Sequence, residues 1–96
     1  MKRYSILQDD MERCFVCDKP HTQKHEIFFG KNRNKSIKYG LVVGLCLEHH
    51  TGYNGVHTMK GVLLNKQLKE VAQKRFQEYY NKSEEEFIKL FGKNRL

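Results

Sequence analysis

The sequence has few of the features that mark secreted or membrane proteins. Its 96 residues contain three cysteines, an odd number, and neither an apolar stretch long enough to span a bilayer nor a leader-like apolar start. These features argue against a disulfide framework and predict a protein of the reducing cytoplasm with no membrane partner. A single proline and the lack of linkers, repeats or low-complexity stretches predict one domain over residues 1–96.

Acidic residues are also scarce relative to basic ones. The chain has 11 Asp and Glu against 18 Lys and Arg, which gives a formal net charge of +7. A surface field of this sign favours polyanions such as nucleic acid. A domain of this length also buries only a modest core, so a metal is a common supplement to its stability.

Two short apolar segments predict the strands of a hairpin. His25–Phe29 is followed by a glycine, and Leu41–Cys46 is rich in β-branched residues. The polar, basic segment Lys31–Gly40 between them is predicted to be a loop. Asn54 and Gly55 mark a turn after the second strand, in a segment that could open as a short helix.

Helical patterns dominate the rest of the chain. Apolar residues recur at steps of three and four from about Met59 to Tyr80, which predicts an amphipathic helix that covers the sheet. Ser83 and Glu86 have the spacing of a capping box, and Gly92 is a natural stop for a last short helix. The apolar residues of that helix are predicted to lie in the core, namely Phe87, Ile88, Leu90 and Phe91.

The cysteines belong to two ligand pairs with the spacing of zinc knuckles. Cys14-x-x-Cys17 and Cys46-x-x-His49 together supply the four soft ligands of a tetrahedral structural Zn²⁺. The competing interpretation is that Cys46 is a small buried hydrophobic residue and the other pair is incidental. A thioredoxin-like role would require a βαβ unit, which the sequence does not indicate.

Three further histidines predict a second metal site. His25 lies at the first strand, whereas His50 and His57 flank the short helix and turn that follow the second strand. Imidazoles with an adjacent carboxylate and open coordination positions suit a cation that polarises a phosphate. His21 is predicted to be a surface or core residue instead.

These motifs carry a resemblance to a known family. The segments "CFVC", "KHEIFFGKNRNKS" and "YGLVVGLCLEHHTGYNGVH" resemble the HNH, or ββα-metal (His-Me finger), endonucleases, in the zinc-stabilised form found in small phage and prophage proteins. The ending "EEFIKLFGKNRL" is similar to the tail of the same proteins. The resemblance implies an α+β fold, with a ββα core over about 12–58 and C-terminal helices over about 59–92. It also implies a divalent-metal-dependent DNA endonuclease in the cytoplasm of a bacterial host.

The resemblance assigns roles by position. His25, His50 and His57 match ligands of the catalytic cation, which would be Mg²⁺, Mn²⁺, Ni²⁺ or Zn²⁺. Glu26 stands where the family usually has its general-base histidine, so either Glu26 is the base or His25 is the base with Glu26 on the metal. Asn54 sits at the usual place of the last ligand and is a further candidate.

The basic segment before the second strand is predicted to meet DNA phosphates. Its candidate contacts would give salt-sensitive, largely sequence-independent binding; they are Lys31, Arg33, Lys35 and Lys38, with Lys2 and Arg3 adding to the field. A solvated loop without a partner is the alternative. Two other functions stay open: a non-catalytic zinc module that binds nucleic acid, and a phage-encoded protein that binds a host protein. A homodimer is a further candidate assembly.

Overall fold

The structure is a computed structural model that describes residues 3–96, so Lys2 and its predicted contribution to the basic field lie outside the described part. Over these residues the fold is a small α+β arrangement of two strands and four α-helices, which confirms the predicted class. In chain order the elements are β1 (Gln23–Glu26), α1 (Arg33–Tyr39), β2 (Val42–Leu45), α2 (Leu47–His50), α3 (Val62–Tyr79) and α4 (Glu84–Phe91), with short 3-10 turns at Gly30–Asn32 and Met59–Gly61.

The two strands form one antiparallel sheet, as the sequence predicted. His25 lies opposite Val43 and Glu26 lies opposite Val42. All four residues of β2 are buried, whereas β1 buries the His25 side chain and leaves Gln23 and Lys24 exposed. The first strand ends before Ile27, earlier than predicted, although the Ile27 N–H still donates to the Leu41 carbonyl at 3.0 Å.

The prediction of a loop over Lys31–Gly40 is wrong, because most of this segment forms the helix α1. The sequence of α1 is mostly hydrophilic, and its buried face consists of Ser36 and Ile37. The Ser36 hydroxyl donates to the Phe28 carbonyl at 2.8 Å and accepts from the Phe28 N–H at 3.0 Å. Gly40 then ends the helix with a φ of 73°, in the left-handed region that glycine adopts without a steric penalty.

The helices at the C-terminal end follow their sequence signals closely. Helix α3 buries Leu68, Ala72 and Phe76 on one face. Both hydrogen bonds of the predicted capping box are present in α4, between Ser83 and Glu86, each 3.1 Å long. Gly92 caps the other end with a φ of 85°. Of the four predicted core residues of α4, Phe87 and Phe91 are buried and the other two are partly buried.

One hydrophobic core joins the sheet to the C-terminal helices. Its largest buried side chains include Phe28, Phe76 and Phe87, together with Leu41 and Leu45. The Phe28 ring lies 5.5 Å from that of Phe87 and 4.8 Å from that of Phe91, measured between centroids. Within residues 3–96, none of the helices has the length and apolar character required to span a membrane.

The N-terminal segment runs against β2 and fixes the position of the first cysteine pair. The Gly44 N–H donates to the Gln8 side chain at 2.9 Å, and the Gly44 carbonyl accepts from the Phe15 N–H at 2.8 Å. A Cβ atom at residue 44 would overlap the Met11 carbonyl. Glycine is therefore required here by the close approach of two backbones, and this approach brings Cys14 to the end of β2.

Candidate metal centres

Two tight turns carry the four ligands of the first cluster. In the first turn the Cys14 N–H donates to the Lys19 carbonyl, and the Asp18 N–H donates to the Cys14 carbonyl, both at 2.8 Å. Asp18 has a φ of 66°, which allows the chain to reverse just after Cys17. In the second turn Cys46 follows the last residue of β2 and is the N-cap of α2, so His49 lies about one helical turn later.

The ligand atoms of this cluster have spacings that suit a tetrahedral metal site. The Sγ atoms of Cys17 and Cys46 are 3.7 Å apart, and Nδ1 of His49 lies 3.7 Å from Cys14 Sγ and 3.2 Å from Cys46 Sγ. A tetrahedral Zn²⁺ with bonds of standard length separates two sulfurs by about 3.8 Å and a sulfur and a nitrogen by about 3.5 Å. A disulfide would need about 2.05 Å, and all three cysteines are free. The Cys₃His cluster therefore has the donor set and the geometry of a zinc site.

Backbone N–H groups around the cluster modify the acidity of its thiols. Burial disfavours the Cys14 thiolate, but N–H groups led by that of Cys46 interact with the sulfur and lower its pKa to about 6. The Lys19 N–H acts in the same direction on Cys17, yet burial and the two neighbouring sulfurs outweigh it and raise the pKa of Cys17. Crowded sulfurs of this kind are stabilised as thiolates by a shared cation.

The second cluster gathers three histidines from β1, α2 and the segment after it. The ring centroids of His25 lie 5.2 Å from those of both His50 and His57, and the latter two are 4.9 Å apart. One ligand atom from each ring lies within 4.8 Å of the others. The segment between His50 and His57 folds back on itself, since the His57 N–H donates to the His50 carbonyl at 3.3 Å. This turn brings together two residues that are seven apart in the sequence.

Burial keeps the His25 and His50 imidazoles neutral at ordinary pH. Burial, followed by the charges of His50, His57 and Lys69, lowers the pKa of His25 from 6.5 to about 3. Burial and then His57 also lower the pKa of His50. Nε2 of His25 is buried and has no hydrogen-bond partner among the described residues. A neutral ring with an unpartnered nitrogen fits a metal ligand.

Gln23 orients one ring of this cluster, and the sequence prediction missed it. Nδ1 of His50 lies 2.6 Å from Gln23 Oε1, which accepts a hydrogen bond and so requires the proton on Nδ1. Nε2 of His50 is then the nitrogen available to a metal. The available signal was the two-residue period of the strand, which places Gln23 and His25 on one face.

Glu26 belongs to a different set of neighbours. Its two carboxylate oxygens lie 2.9 Å from Arg33 Nε and 3.4 Å from Arg3 Nε, and its side chain is 14% exposed. Successive residues of a strand point to opposite faces, so Glu26 points away from the face that carries His25. Glu26 is not part of either cluster found within residues 3–96. Its role as the base or as a ligand stays a prediction.

The remaining predicted site residues are spread over the surface. Asn54 is exposed in the turn between His50 and His57, and its role as a ligand stays a prediction. Among the predicted phosphate contacts, Lys35 donates to the Leu90 carbonyl, Arg33 pairs with Glu26, and Lys38 lies 5.3 Å from the centroid of the Tyr39 ring. Lys31 is exposed. These four residues lie on α1 and the turn before it, not on a free loop.

Comparison of the chain with protein-family models, with curated proteins and with solved structures finds no significant match. The functional assignment therefore rests on the geometry of the two clusters and on the charge around them.

Proposed function

We propose that the chain is a divalent-metal-dependent DNA endonuclease of HNH type, in which His25, His50 and His57 hold the catalytic cation. The observation that carries the proposal is the convergence of three imidazoles beside a separate Cys₃His cluster. Three protein ligands leave coordination positions open for water and a phosphate oxygen, as catalytic metal sites require. The zinc in the Cys₃His cluster would be structural, because its four ligands close the coordination sphere.

The side chains of the cluster place two neutral imidazole nitrogens for a cation, and Glu26 supplies a nearby carboxylate. The buried Nε2 of His25 fits a metal ligand, and Gln23 directs Nε2 of His50 toward the cluster. A cation bound there would polarise a phosphodiester and lower the pKa of a coordinated water. The geometry favours His25 as a ligand, so Glu26 is the base in this proposal. Its charge acts on His50, but its side chain would have to turn from the opposite face of the strand to reach a water on the cation. To accept a proton, Glu26 would have to give up part of its pairing with Arg33 and Arg3.

Cleavage of supercoiled plasmid tests the proposal directly. We expect nicking with Mg²⁺, Mn²⁺ or Ni²⁺ that is abolished in His25→Ala, His50→Ala and His57→Ala. His21→Ala is the matched control, because His21 is exposed and outside both clusters. Glu26→Ala decides whether the carboxylate takes part. A folded, zinc-loaded wild type that cuts nothing with any of these cations would overturn the nuclease proposal.

A non-catalytic zinc module that binds nucleic acid is the second candidate. The observation that favours it is the engagement of Glu26 by two arginines, which occupies the carboxylate that the nuclease would need as its base. This module would bind one zinc per chain, whereas the nuclease would bind a second cation that is lost in His50→Ala and His57→Ala. Metal content measured by mass spectrometry distinguishes the two. DNA affinity that does not fall as salt rises would argue against both, and would favour binding to a host protein instead.

A further inference from the structure

A groove between α3 and the C-terminal tail concentrates positive charge. It encloses about 390 Å³, and we call it the tail groove. Its lining residues come from α3 and from the last residues of the chain, and they are Val62, Asn65, Lys66, Lys69, Lys93, Asn94, Arg95 and Leu96. Four of these side chains are cationic and none is acidic.

A buried glutamine fixes the tail against α3. Gln73 is completely buried, its Oε1 accepts from the Arg95 N–H at 2.7 Å, and its Nε2 donates to Asn94 Oδ1 at 2.9 Å. The Arg95 guanidinium also lies 5.9 Å from the centroid of the Phe28 ring. The tail is therefore held by hydrogen bonds to one buried side chain. The charges of Arg95 and Lys93 both act on Lys69 from this position.

The grouped cations favour an anionic occupant. Burial, then Arg95 and then Lys93, lowers the pKa of Lys69. Like charges held this close repel one another, and a bound anion relieves that repulsion.

The groove borders the three-histidine cluster through one aromatic ring. Lys69 Nζ lies 4.6 Å from the centroid of the Phe29 ring. That centroid lies 5.0 Å from the centroid of His57 and 5.9 Å from that of His25. The charge of Lys69 also acts on His25. An anion in the tail groove and a phosphate at the histidines would therefore be neighbours on one surface.

We propose that the tail groove binds a backbone phosphate of the nucleic acid whose neighbouring phosphate lies at the three-histidine cluster. This proposal rests on the proposed function, because it assigns the groove to the same substrate. A nucleic-acid backbone is favoured over a single small anion because the groove and the cluster are adjacent and a polymer presents phosphates at regular intervals to both. The groove thus adds a second contact region, distinct from the basic residues of α1.

The salt dependence of DNA binding tests the groove without any need for cleavage. Binding of a labelled duplex is measured by fluorescence anisotropy over a range of salt concentrations, with no divalent cation added. The slope of log K against log salt is negative, and each lost phosphate contact reduces its magnitude by about 0.9. We expect a decrease of up to this size both in Lys69→Gln and in the double variant Lys93→Gln/Arg95→Gln, because these side chains surround the site of one phosphate. Lys74→Gln is the matched control, because Lys74 is exposed on the same helix outside the groove, and we expect an unchanged slope.

A variant with unchanged net charge shows whether DNA binding depends on the shape of the groove or only on the total positive charge of the protein. Gln73→Met removes the anchor of the tail, so we expect a slope decrease like that of the double variant, at unchanged net charge. Thermal melting and zinc content establish that each variant is folded. If Gln73→Met is unfolded, Lys69→Gln and Lys93→Gln/Arg95→Gln still test whether the groove binds DNA, since they replace side chains at the groove surface.

The outcomes distinguish the groove from the nuclease. A reduced slope in the groove variants, together with no cleavage by wild type, would support the groove and overturn the proposed function. Normal cleavage with equal slopes in Lys69→Gln, Lys74→Gln and wild type would overturn the groove alone. Binding of polyglutamate with the same dependence on Lys69 would also overturn the proposal, because the groove would then recognise charge without a phosphodiester.

Discussion

The two clusters draw on the same short segment of chain but differ in their donor atoms. Cys46 and His49 complete the Cys₃His cluster, whereas His50, the next residue, belongs to the three-histidine cluster. The first cluster has four ligands, three of them sulfur, and its ligands lie on tight turns closed by backbone hydrogen bonds. The second has three imidazoles, one of them exposed. Soft, complete coordination suits stability, and open imidazole coordination suits exchange with a substrate.

The largest expected effect comes from removing a ligand of the first cluster. Cys46→Ser should abolish zinc binding and, with it, the folded state, because structural zinc contributes on the order of 10 kcal/mol or more in small domains. Zinc content and circular dichroism measure both consequences. A variant that folds without zinc would contradict the assigned difference between the clusters, since the first cluster would then have no structural role.

The free energy of unfolding should depend on pH through His25 of the second cluster. His25 has a pKa of about 3 in the folded protein and an ordinary value of 6.5 when exposed, so the unfolded state binds the proton more readily. Stability contributed by the neutral ring is complete above pH 6.5 and is lost as the pH falls from 6.5 toward 3. The loss has an upper limit of about 5 kcal/mol, at about 1.4 kcal/mol per pH unit.

The comparison of wild type with His25→Phe isolates this contribution, because the zinc cluster and the carboxylates are common to both proteins. Urea unfolding at a series of pH values, with no added divalent cation, should give a shallower pH dependence for the variant between pH 6.5 and 3. Parallel curves for the two proteins would mean that His25 is not held neutral by its burial.

A smaller effect is expected from the residue that orients His50. Gln23→Leu removes the hydrogen bond to Nδ1 and should weaken binding of the second cation by about 10- to 100-fold, a usual loss for a partner of a metal ligand. Titration calorimetry with Mn²⁺ or Ni²⁺ measures the affinity. Zinc content should stay at one per chain. Loss of zinc as well would show that the two clusters do not bind metal independently.

The smallest effect comes from a site remote from both clusters. Ser83→Ala removes the N-cap of α4 and should cost about 1 kcal/mol of the free energy of unfolding. We expect no change in the affinity of either cluster for metal, as measured by the same titrations. A changed metal affinity would indicate that the clusters respond to global stability, and would weaken the interpretation of the other variants.

Local signals predicted more of this molecule than long-range ones could. The ligand pairs Cys14-x-x-Cys17 and Cys46-x-x-His49 are recognisable because each lies within a single turn, and the capping box of α4 is equally local. Helix α1 was missed because its buried face consists of Ser36 and Ile37, too short to show a period. The contacts of Glu26 and Gln23, and the anchoring of the tail by Gln73, depend on side chains distant in sequence. The strand period places Gln23 on the same face as His25, but no local pattern identifies His50 as its partner or encodes the other pairs.

Gly44 has a consequence for how sequence variation in this fold is interpreted. It binds nothing through a side chain, yet any Cβ there would displace the backbone at Met11 and with it the segment that carries Cys14. A selection for zinc retention among random variants should therefore return glycine at position 44 as strictly as it returns the cysteines. Gly92 has open space around it and should accept asparagine, which tolerates a positive φ. In such an experiment, strict retention of a residue would report the close approach of two backbones as readily as it reports a ligand.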